Sequence, residues 1–432
     1  QALGSGALGG NTTADNNTAV GKDALKANTT GTNNVAVGYG ALDANTTANN
    51  NTAVGNNALG DNTTGAQNTG IGKNALFQNT TGIQNTSLGF EALYTPTTAD
   101  NNTGVGYRSL YANTTGGENV AVGALALDAN TTASENTAVG YNAATANTTG
   151  AANTVMGHNS FDANTTGGSN VAIGAQSLGA NTTASDNVAV GAFCLRDNTT
   201  GASNTGVGRG ALQHSTTSSN NTAVGKSALN VNTTGPNNVA IGFESLKANT
   251  TASSGTAIGY QSLLSNTTGE ENVAVGRAAL GANTTGSFNV AVGKSALGAN
   301  TDASYNTAVG RLSLSSNTTG GENTAVGYAA LNDNTASNNT AVGCEALEKC
   351  TTGSQNTAVG FRTLEEATTG DKNTAIGAYA GDDMSTGYEN TLVGHNAGNT
   401  ISTGYKNNFF GRSAGSNVTT GSDNNFIGTA SQ

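Results

Sequence analysis

The chain has 432 residues, of which 61 are glycine and only 10% are charged, with a formal net charge of −11. A charged share this far below the rough quarter of ordinary domains excludes a conventional soluble domain. The absence of any Lys/Arg-rich face excludes nucleic acid as a partner, and the lack of a run of about 18 apolar residues excludes a membrane span. The first residues carry neither an initiating Met nor a charged-then-apolar leader, which reads as a mature or truncated chain.

In chain order, a motif of the form Asn-Thr-Ala-Val-Gly ends at Gly21, Gly38, Gly55 and Gly72 and keeps the same step of 17 residues through Gly327. One residue is then missing, because Gly343 follows after 16, and the step of 17 returns through Gly360 to Gly428. Counting back from Gly21 reaches Gly4, so the repeat fills the chain. The consensus is Asn-Thr/Val-Ala-Val-Gly-x-x-Ala-Leu-x-x-Asn-Thr-Thr-Gly/Ala-x-x. The large apolar residue before each glycine (Val20, Val37, Ile71, Leu88, Met156) predicts one core stripe, and the Leu four residues after it (Leu25, Leu42, Leu59) a second. Two such residues cannot stabilise an isolated unit, whereas stacked units form continuous columns.

Helical repeats need longer units, and Asn, Thr and Gly are poor helix formers. The expected fold is therefore all-β: a parallel β-solenoid, or β-roll, of about 25 stacked coils, each with two short strands and two turns, roughly 120 Å long at a coil spacing of ~4.8 Å. Val and Leu kept in phase along the whole chain argue against a disordered linker. The shortened unit before Gly343 is expected to lose its residue in a turn, because a deletion inside a strand would flip every later side chain. Residues 1–377 form the regular repeats. Residues 378–432 diverge, with Leu392, Phe409 and Phe426 at the usual Ala position and Gly381, Gly398 and Gly415 at the usual Leu position, which suggests a cap or junction.

Two asparagine columns stand out. The first, Asn17, Asn34, Asn51, Asn68, Asn85, Asn102, Asn119, Asn136 and their successors, predicts a structural ladder of stacked amides, as in cross-β assemblies. A calcium site is the poorer reading, since no carboxylate accompanies it in a fixed place. The second opens Asn-Thr-Thr, formally a glycosylation acceptor, at Asn28, Asn45, Asn62, Asn79, Asn113, Asn130, Asn147, Asn164, Asn181, Asn198, Asn232, Asn249, Asn266 and Asn283. Either these carry a line of glycans or Asn-Thr-Thr is simply a good turn. At the Ala position (Ala19, Ala36, Ala138, Ala189) large and charged residues are excluded, so both strand faces read as buried and a second chain is expected to approach there.

The segment Asn170-Val171-Ala172-Ile173-Gly174 and its relatives resemble the head repeats of trimeric autotransporter adhesins, and the longer unit is similar to repeats of tail-fibre-like surface proteins. That resemblance implies a left-handed parallel β-roll assembled as a trimer. The adhesin coils are a few residues shorter and lack the Asn-Thr-Thr-Gly turn. The histidines His158, His214 and His395 sit at unrelated repeat positions, and the Gly-x-Gly strings follow from the repeat; neither suggests catalysis, a metal or a cofactor. Cys344 and Cys350 lie within one coil, a spacing that does not establish a pairing, and free structural thiols are the simpler reading.

These observations point to a non-enzymatic extracellular fibre or stalk that partners itself, as a lateral trimer or an end-to-end filament. An adhesin or virus-fibre segment would place receptor specificity near Tyr94-Thr95-Pro96 or in the divergent part. An ice-binding solenoid would use Thr29, Thr46, Thr63 and Thr80, provided they form a flat face.

Overall fold

The computed structural model describes residues 1–429; the last three residues of the divergent segment lie outside them. The described chain is a parallel β-solenoid with 26 short strands, one in each coil. It divides into two compact units, Gln1–Ser219 and Asn220–Gln432. The first carries β1 (Ala2–Leu3) to β13 (Thr205–Val207), the second β14 (Thr222–Val224) to β26 (Asn425–Ile427). Within each unit every strand pairs in parallel with that of the next coil and in the same phase. Thr18, Ala19 and Val20 lie opposite Val35, Ala36 and Val37 in the first unit, and Val239, Ala240 and Ile241 opposite Thr256, Ala257 and Ile258 in the second.

Strand alternation puts the first and third residues on one face and the second on the other, and the face turned inward is that of Ala. Ala19, Ala36, Ala53 and Ala138 are fully buried, whereas Val37 is 36% exposed, Leu88 46% and Met156 49%. The expected Val core stripe is therefore an outer stripe. The expectation of a second chain against Ala fails for the same reason: Ala is covered by the Leu of its own solenoid. At Gly70, which takes the Ala position, a Cβ would lie 3.3 Å from Leu59 Cγ. The inner strand residue has room for little more than a methyl group.

The expected second strand is also absent from the described coils. Leu25, Leu42 and Leu59 lie in turns with φ of 50°, 51° and 52°. Such left-handed conformations cost a bulky residue on the order of 1–3 kcal/mol, and full burial of the side chain, worth roughly 1.5–3 kcal/mol, offsets it. The geometry swings each Leu beneath the strand. Its N–H still bonds to the next coil, Leu25 N to Ala41 O at 3.0 Å, so turns stack as regularly as strands. The motif glycine is required by close approach: at Gly123, with φ of 138°, a Cβ would stand 2.3 Å from Gly140 O.

The missing residue lies in a turn, as the phase demanded. Between β20 (Thr324–Val326) and β21 (Thr340–Val342) the pairing is unshifted, Ala325 opposite Ala341 and Val326 opposite Val342. The loss is taken up after Thr335: Asn334 Nδ2 donates to Ala336 O, two residues on, where Asn45 reaches Ala48 O, three residues on.

The divergent coils keep the fold by exchanging volumes. In β24 (Thr391–Val393) and β25 (Asn408–Phe410) the inner residues Leu392 and Phe409 are fully buried. The glycines that replace Leu supply the space: a Cβ on Gly398 would lie 2.9 Å from Leu392 Cδ2, and one on Gly415 2.4 Å from the Phe409 ring.

Candidate functional site

The repeated polar side chains were the leading candidates for function, and the fold turns both asparagine columns inward. In the first column Asn17 is 7% exposed and Asn34, Asn51, Asn68, Asn85, Asn102, Asn119 and Asn136 are at most 1% exposed. Each bonds mainly to backbone. Asn17 Oδ1 accepts from the Asn34 N–H at 2.8 Å, and Asn17 Nδ2 donates to Gly31 O in the following turn at 2.7 Å. Amide-to-amide bonds add to this in places, as from Asn119 Nδ2 to Asn102 Oδ1 at 3.1 Å. The predicted ladder exists, with most of its rungs running from side chain to backbone.

The amide-to-amide ladder proper belongs to the second column. Asn45 Nδ2 donates to Asn28 Oδ1 at 2.9 Å, Asn62 to Asn45 at 3.0 Å and Asn79 to Asn62 at 2.8 Å. The same Nδ2 groups also reach a carbonyl three residues on, as from Asn62 to Gly65 O at 2.9 Å. Every proposed acceptor from Asn28 to Asn283 is buried, none more than 1% exposed. A glycan linked through Nδ2 would remove these bonds and has no space in the folded coil, so the expected line of sugars does not fit the structure. Asn-Thr-Thr is here a turn.

Thr29, Thr46 and Thr63 are half-buried on a bend, and their hydroxyls donate to the next coil, at 3.0 Å from Thr29 Oγ1 to Thr46 O. That is a curved edge already engaged in stacking, contrary to the flat Thr face an ice-binding surface was expected to show.

The remaining reactive groups stand apart. His158 stacks on Tyr141 with ring centroids 5.6 Å apart, His395 meets Tyr379 edge-on, and His214 Nδ1 lies 2.7 Å from Asp197 Oδ2. Cys194, Cys344 and Cys350 are free; burial pushes the thiols of Cys194 and Cys350 up to about 12, which suits structural thiols.

One cluster was invisible in the sequence because two coils share it: the carboxylates of Glu345, Glu348 and Glu365 lie within 4.8 Å of one another. Arg362 bonds Glu365 and stands 3.7 Å from Glu345, and Lys349 bonds Glu366 and stands 3.9 Å from Glu365, so the cluster is an ion-paired network. Beside it Asp382 is raised to about 6, chiefly by burial, with Arg362 opposing and Glu365, Asp383 and Glu366 reinforcing the shift.

No protein-family model matches the chain, and comparison with curated proteins finds no match. Among the described residues no helix is long and apolar enough to cross a membrane.

Proposed function

We propose that this chain is a non-enzymatic structural element, an extracellular fibre or stalk whose role is length, stiffness and display. The observation that carries this reading is the use made of the repeated polar side chains. Both Asn columns and the Thr29 column bond to the neighbouring coil, leaving the commonest functional groups engaged in stacking. Such a scaffold extends by repetition, each coil stabilised by its neighbours. The likeness of the motif to adhesin-head and tail-fibre repeats supports the extracellular assignment.

A second reading, receptor binding by an adhesin or virus-fibre segment, draws on one irregular surface. Phe77, Tyr94 and Tyr111 stack at 5.5 and 5.1 Å between centroids, with the Arg108 guanidinium 4.1 Å from the Tyr111 centroid. This places an aromatic patch beside Thr95-Pro96, where the repeat departs from its consensus.

Electron micrographs of the purified chain and of deletions removing whole 17-residue coils test the first reading. Straight particles that shorten by ~4.8 Å per coil removed are expected. Compact particles of unchanged dimensions would overturn it. Immunogold labelling of intact source material tests the extracellular placement.

A further inference from the structure

In the turn that follows each motif glycine, the residues two and five places after that glycine are often large or charged. Arg108 and Tyr111 take these places in one coil, Glu244 and Lys247 in another, Arg362 and Glu365 in a third. In two successive coils of the second unit they shrink to Ala278 with Gly281 and Ser295 with Gly298. The result is an open groove of ≈ 520 Å³, lined also by Leu264 of the coil before and Leu312 of the coil after. Gln261, Ser265 and Ser315 join Ser295 in giving it hydrogen-bonding groups. A concave surface of this size, mostly apolar with a few polar groups, has the form of a ligand site.

A row of cations runs beside this groove. Arg277, Lys294 and Arg311 immediately precede the lining residues Ala278, Ser295 and Leu312, and all three are exposed. They belong to successive coils, so neighbouring positions are ~4.8 Å apart along the solenoid. The Arg277 guanidinium lies 5.7 Å from the Tyr260 centroid and that of Arg311 5.7 Å from the Tyr328 centroid, contacts that hold both groups in place. Cations of the same turn elsewhere are neutralised, Arg108 by Asp128, Lys247 by Glu244 and Arg362 by Glu365, whereas among the described residues Arg277, Lys294 and Arg311 take part in no ion pair. The acids between Tyr260 and Ser316 are Glu270, Glu271 and Asp302, which follow the Asn-Thr turns and do not line the groove. A chain of net charge −11 thus holds three uncompensated positive charges along one groove.

We propose that this groove binds a chain of acidic sugars, its carboxylates or sulfates on Arg277, Lys294 and Arg311 and its rings over Ala278, Gly281, Ser295 and Gly298. Charge complementarity calls for an anionic polymer, and a guanidinium takes a carboxylate through two parallel hydrogen bonds. The small side chains let a sugar ring lie close to the turn, and Gln261 and the serines meet its hydroxyls. Two other polyanions fit less well. An acidic peptide would need free backbone groups to pair with, but the turns spend theirs on each other: Ser295 N donates to Arg277 O at 3.0 Å, Leu312 N to Lys294 O at 3.1 Å and Ala299 N to Ser315 O at 3.0 Å. A single-stranded nucleic acid would stack its bases on aromatic faces, but Tyr260 already lies between Phe243, at 5.4 Å between centroids, and Arg277. Duplex DNA carries a charge every ~1.7 Å, far denser than this row.

This inference goes beyond the reading as a structural element and does not rest on it: particle length in micrographs tests that reading, and sugar binding tests this one. Isothermal titration of the full chain with oligogalacturonate and with dextran sulfate should show binding to at least one of them and none to neutral dextran. Arg277→Gln, Lys294→Gln and Arg311→Gln combined should weaken that binding by roughly tenfold or more, with an unchanged circular dichroism spectrum. Lys22→Gln, Lys73→Gln and Arg209→Gln remove the same charge from the same place in coils of the first unit and should leave affinity within about twofold. Gly281→Leu with Gly298→Leu keeps the cations and fills the groove with the residue that Leu264 presents at the equivalent place, and should also weaken binding by roughly tenfold. Binding to neither acidic sugar, an equal loss in both triple variants, or a Leu variant that binds as well as the parent overturns the proposal. So does tighter binding of poly-glutamate or of oligothymidylate than of either sugar.

Discussion

Asn79 donates through Nδ2 to Asn62 Oδ1 at 2.8 Å, yet its own Oδ1 is buried without a partner, because the residue 17 positions on is Pro96 and not Asn. The amide ladder that links Asn28, Asn45, Asn62 and Asn79 stops there for want of a donor. The ladder that restarts at Asn113 runs through Asn130 and Asn147 to Asn198, whose Oδ1 is again unpartnered because Ser215 follows.

Replacing Pro96 by Asn should therefore stabilise the protein. The new amide would donate to Asn79 Oδ1, and the turn would regain the Asn-Thr-Thr-Ala consensus. Satisfying a buried acceptor is worth ~1–3 kcal/mol, partly offset by the freedom an unfolded chain gains on losing proline. Urea titration should place the midpoint of the variant above that of the parent; an equal or lower midpoint would show that the orphaned oxygen costs little.

Within the first column, Asn68→Ala should be strongly destabilising. It strips the buried Asn85 N–H of its acceptor at 2.9 Å, while Gly82 O loses the Asn68 donor at 2.8 Å and keeps Asn79 Nδ2 at 3.0 Å. With one buried donor left unmet, the expected loss is about 1–3 kcal/mol. Thr64→Ala, at an exposed position of the same turn, is the control and should shift the melting temperature little. Similar melting temperatures for the two variants would contradict the ladder's role.

The exchange of volumes in the divergent coils predicts a compensating pair. Phe409→Ala alone empties a fully buried site and should cost roughly 3–5 kcal/mol. Gly415→Leu alone drives a side chain into the Phe409 ring and should cost at least ~1–3 kcal/mol. Together they restore the Ala and Leu of the regular repeat, so the double variant should be more stable than either single one. A double-mutant cycle with additive costs would refute the exchange.

Asp382 makes stability depend on pH. Its folded pKa is about 6, above the ordinary 3.8, so the folded state holds the proton more tightly than the unfolded one. The contribution is fully present below the unfolded value and is lost as pH rises through about 6. Asp382→Asn should accordingly raise the urea midpoint relative to the parent at pH 7, with the gain shrinking as pH falls toward ~4. A gain that does not vary with pH would point to packing and not to titration.

Much of this fold is written in the period. The step of 17 residues, the recurring glycine and the in-phase Val and Leu determine a parallel solenoid. Even the deletion before Gly343 is confined to a turn, because a slip of one residue would turn every later strand inside out. What the period leaves open is which strand face the coil encloses, since alternation marks two faces without ranking them. Size suggested that Val went in. The backbone decided otherwise: Leu in a left-handed turn lies beneath the strand and leaves space for Ala, and Val155 is buried at this position where Ala144 stands in place of Leu. The same closure drew the Asn-Thr-Thr amides into the core, where two hydrogen-bonded columns need no ligand and tolerate no glycan.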